Sequence, residues 1–394
     1  MNDKIYLDNN ATTKIDDRVL EIMLPYFKDE YGNPSSTYDK SKNIKKEINR
    51  ARENIAKFLN ADTDEIIFTS GASESNTTAI LSAIKTNESK KHIITTKIEH
   101  SSILETMKYV ESLGYEITYL SVDKYGNIYL EELESSIKED TLLISIMYAN
   151  NEIGNINPIE KIGEIAKRNN ILFHTDAVQA FGKLFIDVKK DDIDMLSISG
   201  HKIYAPKGIG ILYKKKNLPF TPLIFGHQEN NMRGGTENVP YIIAFGKAVE
   251  LLNYNKEENI EIEKLRDYLE SELTTKISNT VIYGNQNNRL GNTLNIAIDG
   301  VNGEELLILL NQNNIFVSTG SACNSTDISP SHVLVAMNAD LEKSSPIRIS
   351  LGKYNNKEEI DITVKKIINI VSMLRKRDNK WKVLKKCGMN CPYI

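Results

Sequence analysis

Ser197-Ile198-Ser199-Gly200-His201-Lys202-Ile203-Tyr204-Ala205-Pro206-Lys207-Gly208-Ile209-Gly210 leaves an apolar run, crosses a polar loop and returns to apolar residues. The run over 194–198 reads as a buried strand, and a second apolar segment resumes over 209–213. Gly208 and Gly210 let the backbone approach a neighbour closely at the loop's exit. Lys202 stands in this loop among hydroxyl, imidazole and glycine. A lysine so placed has three readings: a solvated surface cation, a point charge for phosphate, or an amine that forms a Schiff base with a carbonyl cofactor. The choice depends on what other segments bring to the same place.

The 394 residues are 40% hydrophobic and 26% charged, a composition of folded proteins, and the length predicts two domains. A formal net charge of −4 creates no field that would gather nucleic acid. No stretch approaches the ~20 apolar residues of a membrane helix, and residues 1–8 lack the layout of a signal peptide. Cys323, Cys387 and Cys391 are too few and too unevenly spaced for a disulfide framework. The expectation is a reduced, cytoplasmic compartment where a conspicuous cysteine is a candidate for chemistry. Cys387 and Cys391 form a pair without a second pair, so no metal site is expected.

Along the chain, Ile44, Ile48, Ala51, Ile55, Phe58 and Leu59 recur at helical spacing and predict an amphipathic helix over 39–59. Strands then alternate with helices: 65–69, 92–96, 141–147, 171–175 and 194–198. This is the rhythm of a mostly parallel sheet covered on both faces, whose ligands bind beyond the carboxyl ends of the strands. Helices over 238–254 and 257–277 follow, the second marking the crossing into a smaller domain. The predicted division is a large domain over 15–257, with 1–14 and 258–394 forming the small one.

Each strand end delivers polar residues. The first gives Ser70-Gly71-Ala72-Ser73-Glu74-Ser75-Asn76, which suits a phosphate at a helix N-terminus or an ordinary cap. The second gives Glu99-His100-Ser101-Ser102, the third Asn150-Asn151-Glu152. The fourth gives Asp176 with Gln179 three residues on; the carboxylate is either a cap or a buried functional anion. The fifth gives Ser199 to Lys202. Taken together, five such ends are far less expected by chance than any one. Residues 225–238, which include Arg233-Gly234-Gly235-Thr236, make a long polar loop of the kind found at functional or interface positions. Cys323 lies in a run of small polar residues (Ser318-Thr319-Gly320-Ser321-Ala322-Cys323-Asn324), a setting that favours reactivity over the buried, inert thiol that a free cysteine usually is. Arg348, flanked by apolar residues in a short strand pattern, needs an anion, either a carboxylate substrate or a structural Asp or Glu.

The chain resembles the cysteine desulfurases of the NifS/IscS group, within the class V aminotransferase-like enzymes that use pyridoxal 5′-phosphate. The resemblance runs from Tyr6-Leu7-Asp8-Asn9-Asn10-Ala11-Thr12-Thr13 to the helix after Arg348. Its most specific pieces are Ser199-Gly200-His201-Lys202, His174-Thr175-Asp176-Ala177-Val178-Gln179, Arg233-Gly234-Gly235-Thr236 and Ser321-Ala322-Cys323. It implies an α/β protein of the pyridoxal-phosphate transferase fold type I, with a mostly parallel central sheet, helices on both faces and a smaller α+β domain. It also implies a homodimer with active sites at the subunit interface. Lys202 would carry the cofactor as a Schiff base, Asp176 would pair with the ring nitrogen, Gln179 with the ring hydroxyl, and His100 would stack on the ring and help move protons. Ala72, Ser73, Ser199 and His201 would hold the phosphate, with Thr236 reaching in from the partner subunit. Asn151 and Arg348 would bind the carboxylate of L-cysteine, Asn151 being preferred over Asn150 by the resemblance alone.

The implied reaction converts L-cysteine to L-alanine, with sulfur passing to Cys323 as a persulfide. The acceptor would be an iron–sulfur scaffold or a tRNA-thiolation enzyme. A selenocysteine lyase or an aminotransferase could use the same cofactor groups. The tail carrying Cys387 and Cys391 differs from the scaffold-docking tail of housekeeping iron–sulfur enzymes, and Ala72-Ser73 stands where family members often have a threonine second.

Overall fold

The computed structural model describes residues 4–252, 257–319, 330–341 and 345–386, with side chains to residue 377. Its strands in chain order are β1 (Ile5–Tyr6), β2 (Ile66–Thr69), β3 (His92–Thr96), β4 (Glu116–Leu120), β5 (Thr141–Ser145), β6 (Leu172–Asp176), β7 (Met195–Ser199), β8 (Gly210–Lys214), β9 (Thr280–Tyr283), β10 (Thr293–Ile298), β11 (Ile315–Phe316) and β12 (Ile347–Ser350). The chain divides into two compact units, one of residues 11–151 and 155–255, the other of residues 1–10, 152–154 and 256–394.

The first unit is built on a seven-stranded sheet ordered β2-β8-β7-β6-β5-β3-β4. Only β8 runs against its neighbours, pairing antiparallel with both β2 and β7. The strands β6, β5, β3 and β4 continue from β7 in parallel register. Every residue of β2, β3, β5, β7 and β8 is buried, as expected of strands with helices on both faces. One apolar layer joins Ile67, Ile93, Leu143 and Leu212 of the sheet to Ala79, Ile80 and Ala83 of the helix Ala72–Thr86 and to Ile103 and Met107 of the helix Ser101–Ser112. On the helix Asp39–Leu59, the periodic residues Ile44, Ile48, Ala51, Ile55, Phe58 and Leu59 are all buried. Its Ala51 meets Gly246 of the helix Val239–Leu251 so closely that an added Cβ at 246 would lie 2.4 Å from the Ala51 Cβ.

The second unit pairs β12-β10-β9 in antiparallel register and β1 with β11 in parallel. Its own core gathers Leu7, Leu294, Ile296, Leu306, Ile349, Ile360 and Ile367. Central strands match the apolar runs of the sequence, whereas β4 and β9 were not expected. Both are edge strands with partly exposed residues, so neither writes a clean apolar pattern. Among the described residues no helix is long and apolar enough to cross a membrane.

Candidate active site

Because β2, β7, β6, β5 and β3 all point the same way, their carboxyl ends lie along one edge of the sheet. That geometry brings together Ala72 and Ser73 after β2, Ser199 to Lys202 after β7, Asp176 at the end of β6, Asn151 after β5 and His100 after β3.

At β2 the chain turns through Gly71, with φ 154° and ψ 174°, a backbone conformation essentially reserved for glycine. The 15-residue helix Ala72–Thr86 starts immediately after, so its first N–H groups face outward with the positive end of the helix dipole. Gly210 of β8 presses against this turn: an added Cβ there would sit 2.7 Å from the Gly71 Cα and 2.5 Å from the Ile198 carbonyl oxygen. The loop 225–238 is tied to the same helix by Arg233, whose Nε donates to Glu74 Oε1 at 2.9 Å. Thr236 in that loop is exposed.

Lys202 ends a single 3-10 turn, Gly200–Lys202, and its Nζ donates to the Ala11 carbonyl at 2.8 Å. The turn is stapled to the segment after Ala11. Thr13 donates both its N–H and its Oγ1 hydrogen to the His201 carbonyl (2.9 Å each), and accepts from the Tyr204 N–H at 2.8 Å. The His201 ring meets Thr12 Oγ1 at 3.1 Å. Burial, with Lys202 and Lys207 adding to it, pushes the His201 ring down to about 4. The ring is therefore neutral at physiological pH.

Asp176 is buried; its Oδ1 accepts from the Val178 N–H at 3.0 Å and its Oδ2 from Asn76 Nδ2 at 2.8 Å. No helix follows Asp176, so the helix-cap reading does not hold: the Val178 bond closes a local turn, and the Asn76 bond holds the other oxygen of a buried carboxylate. Gln179 is buried and its Oε1 accepts from Lys183 Nζ at 2.9 Å. His100 caps the helix Ser101–Ser112, its Nδ1 taking the Ser102 N–H at 3.2 Å. Asn150 is fully buried and spends its amide on the Ile98 carbonyl at 3.0 Å, whereas Asn151 is half-buried.

Glu99, adjacent to His100, carried no role in the sequence reading. Its carboxylate is buried, accepting from Thr96 Oγ1 at 2.7 Å and from the Met147 N–H at 3.0 Å. Burial pushes its carboxyl up to about 8, against those hydrogen bonds and with Asp176 adding to the rise. A carboxylate directly before the histidine, three residues beyond the buried strand β3, was the available signal.

In the second unit, Arg348 of β12 is buried and donates through Nη2 to Asp8 Oδ1 at 2.7 Å. Its backbone pairs with Ser318 in both directions. Glu152 accepts from Ser331 Oγ at 2.5 Å; burial pushes its carboxyl up to about 7, opposed by Ser331 and by Arg348. The anion that Arg348 demanded from sequence is thus met here by Asp8, the structural alternative. Cys323, Cys387 and Cys391 lie outside the described residues.

The donor set along the sheet edge has the chemistry that pyridoxal phosphate requires. A helix N-terminus suits the phosphate, a buried anion suits a protonated ring nitrogen, and a lysine amine at a strand end suits the aldehyde.

Comparison with known proteins agrees. The family model for class-V aminotransferases matches residues 5–363. The chain is similar to the cysteine desulfurase IscS of Methanosarcina thermophila, 49% identical over 95% of this chain and 93% of that one. Among solved structures it is similar to a NifS-like protein, with a TM-score of 0.88 and 42% identity over 94% of this chain and 100% of the other. It is also similar to a structure described as SspA in complex with cysteine, with a TM-score of 0.79 and 40% identity over 90% of this chain and 100% of that one. The chain belongs to the class-V aminotransferase family and, within it, to the pyridoxal-phosphate-dependent cysteine desulfurases of the NifS/IscS group.

Proposed function

We propose that this protein acts on L-cysteine, releasing L-alanine and leaving the substrate sulfur as a persulfide on Cys323. The observation that carries the reading is the convergence of Lys202, Asp176 and His100 with the opened helix N-terminus on one sheet edge, in a chain of this family. The similar SspA structure holds cysteine, which supports the substrate class.

Bound pyridoxal phosphate supplies an electron sink at the substrate's α-carbon. The protein supplies the rest. Ala72 and Ser73 offer helix N–H groups to the phosphate, with Ser199, His201 and Thr236 as further holders. The neutral His201 ring adds a hydrogen bond there without another charge. Asp176 would keep the ring nitrogen protonated, and Gln179 would hold the ring hydroxyl. Lys202 would hold the cofactor through its amine, and that amine could take up and return the substrate's α-proton. His100 supports proton movement at its ring nitrogens. Asn151 and Arg348 would orient the substrate carboxylate, Arg348 through the guanidinium edge that its bond to Asp8 leaves over. The Cys323 thiolate takes the substrate sulfur: one S–S bond forms and the substrate C–S bond breaks. The carbon left behind is protonated to alanine, so no external oxidant or reductant enters.

The protein is proposed to work as a cytoplasmic homodimer and to hand its sulfur to an iron–sulfur scaffold or a tRNA-thiolation enzyme. The exposed Phe225 and Thr236, on the loop that Arg233 ties to the helix Ala72–Thr86, support a partner surface there.

The test is to incubate the protein with L-cysteine and measure intact mass and alanine together. One added sulfur mapping to Cys323 is expected. Cys323→Ser should release no alanine while keeping the cofactor's colour. Undiminished alanine release by Cys323→Ser would overturn the reading.

A further inference from the structure

Asn76 lies in the second turn of the helix Ala72–Thr86 with its side chain fully buried. Its Nδ2 is 2.8 Å from Asp176 Oδ2 and 3.0 Å from Ser102 Oγ. An ionised carboxylate only accepts, so the amide nitrogen must face Asp176, and both amide hydrogens are then committed. The other end of the amide shows what this orientation gives up: Asn76 Oδ1 is buried without a hydrogen-bond partner. A buried acceptor left unmade is unusual, and here it marks an amide whose direction is dictated by the carboxylate.

The direction propagates. Ser102 Oγ accepts from Asn76, so its own hydrogen is available for His100 Nδ1 at 2.9 Å. The Ser102 backbone N–H approaches the same nitrogen at 3.2 Å. Two donors on Nδ1 exclude a hydrogen there and place the neutral ring's hydrogen on Nε2. All links are polarised in one sense, which strengthens each.

We propose that Asn76 and Ser102 are positioning residues that let the Asp176 carboxylate fix His100 as the Nε2–H tautomer. The functional meaning rests on the reading of Asp176 and His100 given under the proposed function; the geometry does not. Asp176 would then face the cofactor ring with one consequence and His100 with another, each sensing the same charge. Other titratable groups face His100: His201, itself beside Lys202 and Lys207, while Glu99 next in chain is turned onto Thr96 and Met147.

The experiment is nitrogen NMR of 15N-histidine-labelled, full-length protein, first without cofactor and then loaded, titrated from about pH 5 to 9. The chain has six histidines, and His100→Gln identifies the resonance. Wild type should show a hydrogen on Nε2 and an accepting Nδ1. Removing a donor to the neutral ring favours its protonation, so Asn76→Ala and Ser102→Ala should each raise the His100 midpoint by about half a pH unit or more. Asn76 does not touch the ring, so its effect separates a relay from a simple helix cap. Should Asn76→Ala fail to fold, the half-buried Ser102→Ala and the wild-type tautomer decide. An Nδ1–H tautomer in wild type, or variant titrations that superimpose on wild type, overturns the proposal. Loss of sulfur loading on Cys323 with an intact His100 response would sink the desulfurase reading and spare the relay.

Discussion

Arg348 and Asp8 make the most exacting pair in the second unit. The arginine side chain is 5% exposed and the aspartate 20%, so removal of Asp8 takes a close anion from a buried guanidinium. Asp8→Ala should cost about 3 kcal/mol in a urea melt of this unit, the low end for a broken buried pair. If the guanidinium also orients substrate carboxylate, the same variant should raise the KM for cysteine more than it lowers kcat. At this scale the sequence told much about Lys202, Asp176 and His100, because each stands at the end of an apolar run. It said little about Asn76 or Asp8, whose roles depend on partners 100 and 340 residues away.

Elements meet most tightly where glycine stands in for a side chain. Gly246→Ala would set a methyl group 2.4 Å from the Ala51 Cβ, forcing the helices Asp39–Leu59 and Val239–Leu251 apart. A loss of about 2 kcal/mol is expected from overpacking, visible as a lowered thermal midpoint with the cofactor site intact. Gly210→Ala should act differently. Its methyl would meet backbone on both sides, the Ile198 carbonyl and the Gly71 Cα, so relief must come from the turn that opens the helix Ala72–Thr86. Weakened retention of pyridoxal phosphate on dialysis is the expected reading, and wild-type retention would count against a phosphate at that helix. The buried strand β3 was legible to the residue, because its β-branched run is bounded by polar residues on both sides. The edges β4 and β9 were not, since half-exposed strands mix polar and apolar residues as loops do.

Over the whole molecule, the buried titratable groups set the response to pH. In the first unit, His174 is pushed down to about 3 by burial and His201 to about 4, from 6.5. Below pH 6.5 the unfolded chain binds protons that these folded rings refuse, so stability falls as pH falls toward 4 and then 3. Glu99 works in the opposite sense: the unfolded carboxyl ionises near 4.5 and the folded one near 8, so its contribution is lost as pH rises between them. Two rings outweigh one carboxyl below 6.5 and fall silent above it. Stability of this unit should therefore peak near pH 6.5, as followed by thermal midpoints. Glu99→Gln should abolish the decline between 6.5 and about 8 and steepen the acid-side fall between 6.5 and 4.5, where Glu99 no longer offsets the two rings. An equally steep alkaline decline in that variant would show that Glu99 is not the group holding the proton.

The reversed strand β8 has one more implication. Since β7 and β8 pair from Met195↔Lys214 to Ser199↔Gly210, the Lys202 segment is the tip of a hairpin whose two legs are rooted in mid-sheet. A tip so anchored cannot swing, so the amine at its end works from a fixed post, and whatever travels during turnover must come to it. Deuterium uptake at Leu196, Ile198, Ile211 and Tyr213 should accordingly be among the slowest in the protein, with or without substrate.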